Sequence, residues 1–220
     1  MKYRALFFDL DGTLSDPREG ILNSIQYAAE YYGVHTDRQE LYKYIGPPLR
    51  DTFTELIGED EAMDAVFKYR ERFDAGGGLF ENEMYDGIPE MLSRLKDMGY
   101  ILCTASSKPQ TFVERILEHF DILKYFDYVG GASLDEKRSE KDRVIQYVLD
   151  MAGLENSEVL MIGDRKYDLE GAMLMGMDAV GVLYGFGDRE ELSEYPSIAL
   201  IETPGELVDL LRAGDYDAAQ

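Results

Sequence analysis

The chain has 220 residues, 45% of them apolar and 30% charged, with one cysteine and a formal net charge of −22 from 44 acidic and 22 basic side chains. That length builds one large domain or a core with a smaller insert, and the lone Cys103 excludes an internal disulfide and reads as a small buried hydrophobe. The acidic excess argues against binding to a nucleic-acid polymer or an anionic membrane, both of which need basic surface, and no run approaches the roughly 20 apolar residues of a membrane span.

In chain order, the first predicted strand is Ala5–Phe8, which runs directly into "DLDGTLSD", where Asp9 and Asp11 straddle Leu10. This apolar run is too short for a secretory signal and meets aspartate at once, so a cytoplasmic location is expected. From Pro17 to Asp86 the patterns are helical and no strand is predicted. Ile21, Leu22, Ile25, Ala28, Ala29 and Tyr32 share one stripe, and Leu41–Ile45, Leu49–Ile57 and Met63–Phe73 follow, cut at Gly46-Pro47-Pro48 and Gly58. An interval of that length exceeds any ordinary crossover. It is expected to form an inserted helical domain over 16–85, with a core domain over 1–15 and 86–220 and loose backbone at Gly76–Gly78 on the return.

Beyond it, strands are predicted at Tyr100–Thr104, Tyr128–Val129, Val159–Ile162, Ala179–Leu183 and Ile198–Ile201. Each of the first three is preceded by a helical stripe, built on Ile88, Met91, Leu92 and Leu95, on Val113, Ile116 and Leu117, and on Val144, Ile145 and Val148. Alternating strand and helix means a parallel sheet covered on both faces, a Rossmann-like α/β core.

In such sheets the site lies at the carboxyl ends of the strands. The first strand delivers Asp9, Asp11, Gly12 and Thr13. The Tyr100 strand delivers Ser106, Ser107 and Lys108 before Pro109, which is expected in the first turn of the next helix. The Val159 strand delivers Asp164, with Asp168 four residues on, and Lys141 opens the preceding helix. Converging carboxylates with few nitrogen donors suit Mg²⁺, which keeps waters and takes a substrate phosphate. A carboxylate at the strand end, Asp9, can act as a nucleophile towards phosphorus. Asp11, at the turn, can protonate the leaving oxygen and then activate water. Gly12 permits close backbone approach to a phosphoryl oxygen, Ser106 offers a hydroxyl, and Lys141 adds positive charge. Positioning plus charge neutralisation is most of what phosphoryl transfer demands. His35 and His119 read as structural, and Gly185-Phe186-Gly187 as an ordinary loop beside the entrance.

"DLDGTLSD", "TASSKP", the lysine of "SEKDRVI" and "IGDRKYDLEGA" together resemble the four motifs of the haloacid dehalogenase superfamily. The closest branch is the phosphoglycolate phosphatase-like and 5′-nucleotidase-like group, with a helical cap inserted after the first motif. The resemblance covers nearly the whole chain and implies a Mg²⁺-dependent phosphatase acting on a small phosphate ester through an aspartyl phosphate. It implies Asp9 as nucleophile, Asp11 as general acid/base, Ser106 as the second-motif hydroxyl, Lys141 as the third-motif lysine, Asp164 as a metal ligand and Asp168 as a ligand or an outer carboxylate. The metal's other contacts would be Asp9, the Asp11 backbone carbonyl, waters and phosphate, with Gly12, Ser106, Ser107 and Lys141 around the phosphate. Ser107 stands where the family often has Asn, and Asp142 where Pro often follows the lysine, so Lys137 and, more weakly, Lys108 rival Lys141. Asp11 argues against dehalogenase and phosphonoacetaldehyde hydrolase chemistry, while a sugar phosphomutase would keep it. In a different class, a phospho-acceptor signalling domain uses similar groups on a shorter chain. "YIGPPLRDTF" resembles a specificity loop in which Arg50 contacts a substrate carboxylate or second phosphate, against the alternative of a solvated helix arginine. A nucleoside 5′-monophosphate and phosphoglycolate are the first substrate expectations, and the oligomeric state is not legible.

Overall fold

A computed structural model describes residues 2–45, 49–134 and 137–217. Six strands form one parallel sheet: β1 (Ala5–Phe8), β4 (Ile101–Pro109), β5 (Tyr128–Ala132), β6 (Val159–Gly163), β7 (Asp178–Val182) and β8 (Ala199–Ile201), in the order β5-β4-β1-β6-β7-β8. The helices between them are α5 (Ile88–Asp97), α6 (Gln110–His119), α7 (Lys141–Ala152), α8 (Lys166–Leu174) and α9 (Arg189–Ser193), and α10 (Pro204–Asp217) follows β8. β1 is buried along its whole length, as an apolar run covered on both faces must be. Its register aligns Phe8 with Thr104 of β4 and with Ile162 of β6, and β4 runs on beyond that level to Pro109. On one side of the sheet Phe7, Cys103, Ala105, Met161 and Ala179 pack against Val144, Ile145 and Val148 of α7 and Leu169 of α8.

The chain divides into two compact units, Met1–Asp16 with Met84–Gln220, and Pro17–Glu83. The second holds α1 (Arg18–Tyr31), α2 (Arg38–Leu41), α3 (Leu49–Ile57) and α4 (Ala62–Arg70), the last running into a π-type turn at Glu71–Ala75. Leu22, Ile25, Ala28 and Ala29 of α1 are buried, as their helical spacing requires. Phe53 of α3 meets Tyr69 edge-on at 6.3 Å, and Tyr69 stacks on Phe73 at 5.3 Å. Among the described residues no helix is long and apolar enough to cross a membrane.

Several expectations are corrected. The interval Pro17–Asp86 is not free of strand, because β3 (Glu83–Met84) pairs with β2 (Ser15–Asp16) as a two-residue ribbon. The Tyr100 strand continues through Ser106, Ser107 and Lys108 to Pro109, with its register to β5 shifting between Ser106 and Pro109. Pro109 is therefore extended (φ −51°, ψ 131°) and caps α6 from outside its first turn. β5 runs on to Ala132 through two glycines that end the apolar pattern. A Cβ on Gly130 would lie 2.1 Å from Val148 Cγ2, and one on Gly131 2.7 Å from Gln110 Cα, so close helix packing calls for glycine there. The Gly46-Pro47-Pro48 break lies outside the described residues.

Candidate active site

At the end of β1 the backbone stays in the sheet for one more residue, Asp9 N donating to Ile162 O at 2.9 Å, and then turns. Gly12 sits at φ +86°, its N–H on Ser15 O, and a Cβ there would lie 2.1 Å from Asp164 Oδ2. Both the conformation and the clearance require glycine. The turn leaves the two aspartates differently engaged. Asp9 Oδ1 accepts the Leu10 N–H at 2.7 Å, and Asp9 Oδ2 lies 3.1 Å from the Lys141 ammonium. Asp11 faces another cation: Lys108 Nζ is 2.8 Å from its Oδ1 and 2.7 Å from its Oδ2.

Lys141 is buried at the first position of α7, and its ammonium also reaches Asp168 Oδ1 at 2.7 Å and donates to Ala105 O at 3.0 Å. Its aliphatic stem crosses α8 where Gly171 leaves room, since a Cβ there would meet Lys141 Cγ at 2.7 Å. Ser106 is buried at the irregular end of β4, with Oγ accepting the Lys108 N–H at 3.3 Å. Asp164 follows β6 and is enclosed: Thr13 Oγ1 donates to Oδ1 at 3.1 Å and the Phe186 N–H to Oδ2 at 2.9 Å. Asp168, in the first turn of α8, accepts the Arg165 N–H on Oδ2 at 3.1 Å.

The electrostatics follow from crowding and burial. Burial raises the Asp164 carboxyl well above the ordinary carboxylate range, and Asp168 and Asp9 raise it further. Burial lifts Asp168 to about 6, with Lys141 opposing and Asp9 adding. Asp11 is raised by desolvation, with Lys108 pulling the other way. Burial alone would lower Lys141, but Asp168 and Asp9 outweigh it and hold the ammonium charged.

Four carboxylates (Asp9, Asp11, Asp164, Asp168) and two ammonium groups (Lys108, Lys141) leave a local charge of 2 − 4 = −2 when all are ionised. One oxygen each from Asp9, Asp164 and Asp168 lies within 4.8 Å of the others, a set able to hold a metal ion. Asp168 Oδ1 carries no aligned hydrogen bond, although the ammonium is close. An all-oxygen donor set with a spare lone pair and an uncompensated charge of −2 fits a hard divalent cation.

The structure thus brings Asp9, Asp11, Gly12, Ser106, Lys141, Asp164 and Asp168 to one edge of the sheet. The Asp11 carboxylate stands outside the metal-sized group, against Lys108. Ser107 is exposed. Lys137 is exposed in a turn, and Lys141 is the lysine that meets Asp9. Arg50 is exposed on α3, in the other unit. Sequence reasoning named Thr13 and the loop after β7 but gave neither a role, and it did not pair Lys108 with Asp11. A Cβ on Gly185 would lie 2.3 Å from Asp164 Cβ, and one on Gly187 2.1 Å from Asp164 O, so that loop wraps Asp164. Two glycines around one aromatic just past a strand end were the available signal.

The sequence profile of the haloacid dehalogenase-like hydrolases matches residues 6–182. The chain belongs to this family. A 5′-nucleotidase of Pseudomonas aeruginosa is 45% identical over 87% of the chain and 88% of its own length. A protein of Mycobacterium tuberculosis named tyrosine-protein kinase PtkA is 34% identical over 94% of the chain and 70% of its own length. The solved haloacid dehalogenase-like hydrolase of Streptococcus pneumoniae superposes with a TM-score of 0.90 at 29% identity, covering 96% of this chain and 99% of that one. Further relatives are named pyrophosphatase and phosphoglycolate phosphatase, and the chain is a phosphatase of the haloacid dehalogenase-like family.

Proposed function

We propose that the protein is a Mg²⁺-dependent phosphomonoester hydrolase that works through an aspartyl phosphate on Asp9. The observation that carries this reading is the setting of Asp9. Its side chain is steered by the Leu10 N–H and the Lys141 ammonium, beside two buried carboxylates with an uncompensated local charge of −2. Asp9, Asp164, Asp168 and the Asp11 carbonyl would hold the cation, which supplies Lewis-acid charge to a phosphoryl oxygen.

The chain's own groups then divide the work. A carboxylate oxygen of Asp9 forms a bond to phosphorus as the bond from phosphorus to the leaving oxygen breaks, and protonated Asp11 gives its proton to that oxygen. Asp11, again ionised, takes a proton from water as the water oxygen attacks the acyl phosphate. Inorganic phosphate leaves and Asp9 returns as a carboxylate. Ser106 Oγ and the backbone at Gly12 hold phosphoryl oxygens, with Ser107 at the rim. Lys141 keeps Asp9 oriented and offsets the charge that builds on the phosphoryl group.

In this reading residues 16–85 are the helical cap that selects the substrate, and Arg50 is its candidate residue for a second anionic group. A nucleoside 5′-monophosphate is the first candidate, following the name of the Pseudomonas relative, and phosphoglycolate the second. Both are small esters found in the cytoplasm, where the enzyme would act. The test is turnover of p-nitrophenyl phosphate followed by phosphate release over a panel of metabolites. Activity should vanish with EDTA and in Asp9→Asn. A folded Asp9→Asn protein with wild-type turnover would remove the nucleophile assignment.

A further inference from the structure

We propose that Tyr184–Glu191, the segment that follows β7 and enters α9, is a clamp that sets the cation affinity of the carboxylate site, with Glu191 as its positioning residue. This rests on the metal reading above. The segment grips the site at three points. Tyr184 Oη donates to Thr13 O at 3.1 Å, the same Thr13 whose hydroxyl donates to Asp164. Gly185 and Gly187 lie close enough to Asp164 to exclude any Cβ, and between them the Phe186 N–H donates to Asp164 Oδ2. At its far end Glu191 takes hold of the chain just after Asp164: Oε1 accepts the Lys166 N–H and Arg165 Nε, both at 2.8 Å, and Oε2 lies 3.3 Å from Arg165 Nη2. Asp188 fixes Glu191 in turn, its Oδ1 accepting the Glu191 N–H at 2.8 Å.

The consequence reaches both metal-ligand candidates on β6 and α8. Residues 164–168 are tied to one segment at Asp164 by the Phe186 amide and at Arg165–Lys166 by Glu191. Arg165 itself donates its N–H to Asp168 Oδ2. The guanidinium–carboxylate fork between Arg165 and Glu191 is directional, so it holds the backbone of residue 165 in place as well as neutralising charge. Asp164 and Asp168 repel one another, and a stiff backbone, with Thr13 on one and Lys141 on the other, keeps both oxygens aimed at a shared ion. Without Glu191, the cation itself must gather the two carboxylates. Partners beyond the ligands of a metal site typically govern about 10–100-fold in affinity.

The experiment follows the melting temperature of EDTA-stripped, dialysed protein against Mg²⁺ concentration, without substrate. Wild type gives a reference midpoint. Glu191→Gln keeps an acceptor for the Lys166 N–H but loses the charged fork, and its midpoint should rise about tenfold. Tyr184→Phe removes one hydroxyl and should move the midpoint the same way, serving as the second variant should Glu191 changes prevent folding. Arg189→Gln, on the same helix as Glu191, breaks an exposed pair with Glu202 beyond β8 and should leave the midpoint at the wild-type value. At saturating Mg²⁺ the kcat of Glu191→Gln should return towards wild type. Variants that melt lower by the same amount at every Mg²⁺ concentration, with the midpoint unmoved, would show a purely structural role and overturn the proposal. A wild-type protein with no Mg²⁺-dependent rise overturns the metal reading, and this inference with it.

Discussion

Replacing Lys141 by methionine tests the electrostatic account of the site most directly. Methionine keeps the length of the stem, so the change removes little except the charge. The Lys141 ammonium lies 3.1 Å from Asp9, 2.7 Å from Asp168 and 3.0 Å from the Ala105 carbonyl, and it is nearly inaccessible to water. Its loss takes the local charge from −2 to −3 and leaves two carboxylates without a cation. Breaking a buried pair by deleting one partner costs about 3–5 kcal/mol, which should appear as a lower urea midpoint in EDTA. Mg²⁺ should return part of that stability. The sign of the pH dependence is fixed: the folded ammonium is raised above its ordinary 10.5, so the Lys141 contribution is complete below pH 10.5 and is lost as pH rises from there through the folded value. Turnover of p-nitrophenyl phosphate should fall about 10²–10³-fold, the usual loss for one preorganised charge-stabilising donor. Gly171→Ala should give a milder version with the ammonium retained, because its Cβ would lie 2.7 Å from Lys141 Cγ and push the stem aside. A folded Lys141→Met protein with wild-type kcat, or one as stable as wild type in EDTA, would refute this account.

Three further outcomes are expected. Asp164→Asn should stabilise the EDTA-treated protein at pH 7 while abolishing the stabilisation by Mg²⁺. The wild-type carboxyl is raised by burial, Asp168 and Asp9, so it favours the fold below its unfolded value of 3.8 and loses that contribution as pH rises through the folded value. Urea melts at several pH values should show a slope in wild type that Asp164→Asn reduces. The Cys103 thiol, pushed up to about 12 by burial with Asp127 adding, should resist Ellman's reagent at pH 8 and titrate as one thiol after denaturation; fast labelling of native protein would contradict its burial. Arg50→Ala should raise KM for an ester with a second anionic group, by about tenfold as for a lost charged contact worth about 1.4 kcal/mol, and leave p-nitrophenyl phosphate turnover unchanged; equal effects on both substrates would exclude Arg50 as a selectivity residue.

What could be read from the residues and what could not separate along a physical line. The ends of β1 and β6 were legible because an apolar run that meets Asp9 or Asp164 announces both the strand and the charge it delivers. Lys141 was legible as a site cation through its position at a helix start and the motif resemblance, and the packing of α7 on α8 at Gly171 is what carries it to Asp9 and Asp168. The end of β4 was misjudged because the register shift after Ser106 is a property of pairing with β5, and that strand hides its length behind Gly130 and Gly131. The loop after β7 was the hardest, since its work is done by backbone. The group that meets Asp164 is the Phe186 amide, which any residue but proline would supply, so the aromatic side chain points attention the wrong way. The readable trace of such a contact is the clearance around it. Gly12, Gly185 and Gly187 all approach Asp164 more closely than a Cβ allows. Glycines from two loops far apart in sequence, each just past a strand, therefore mark one buried aspartate.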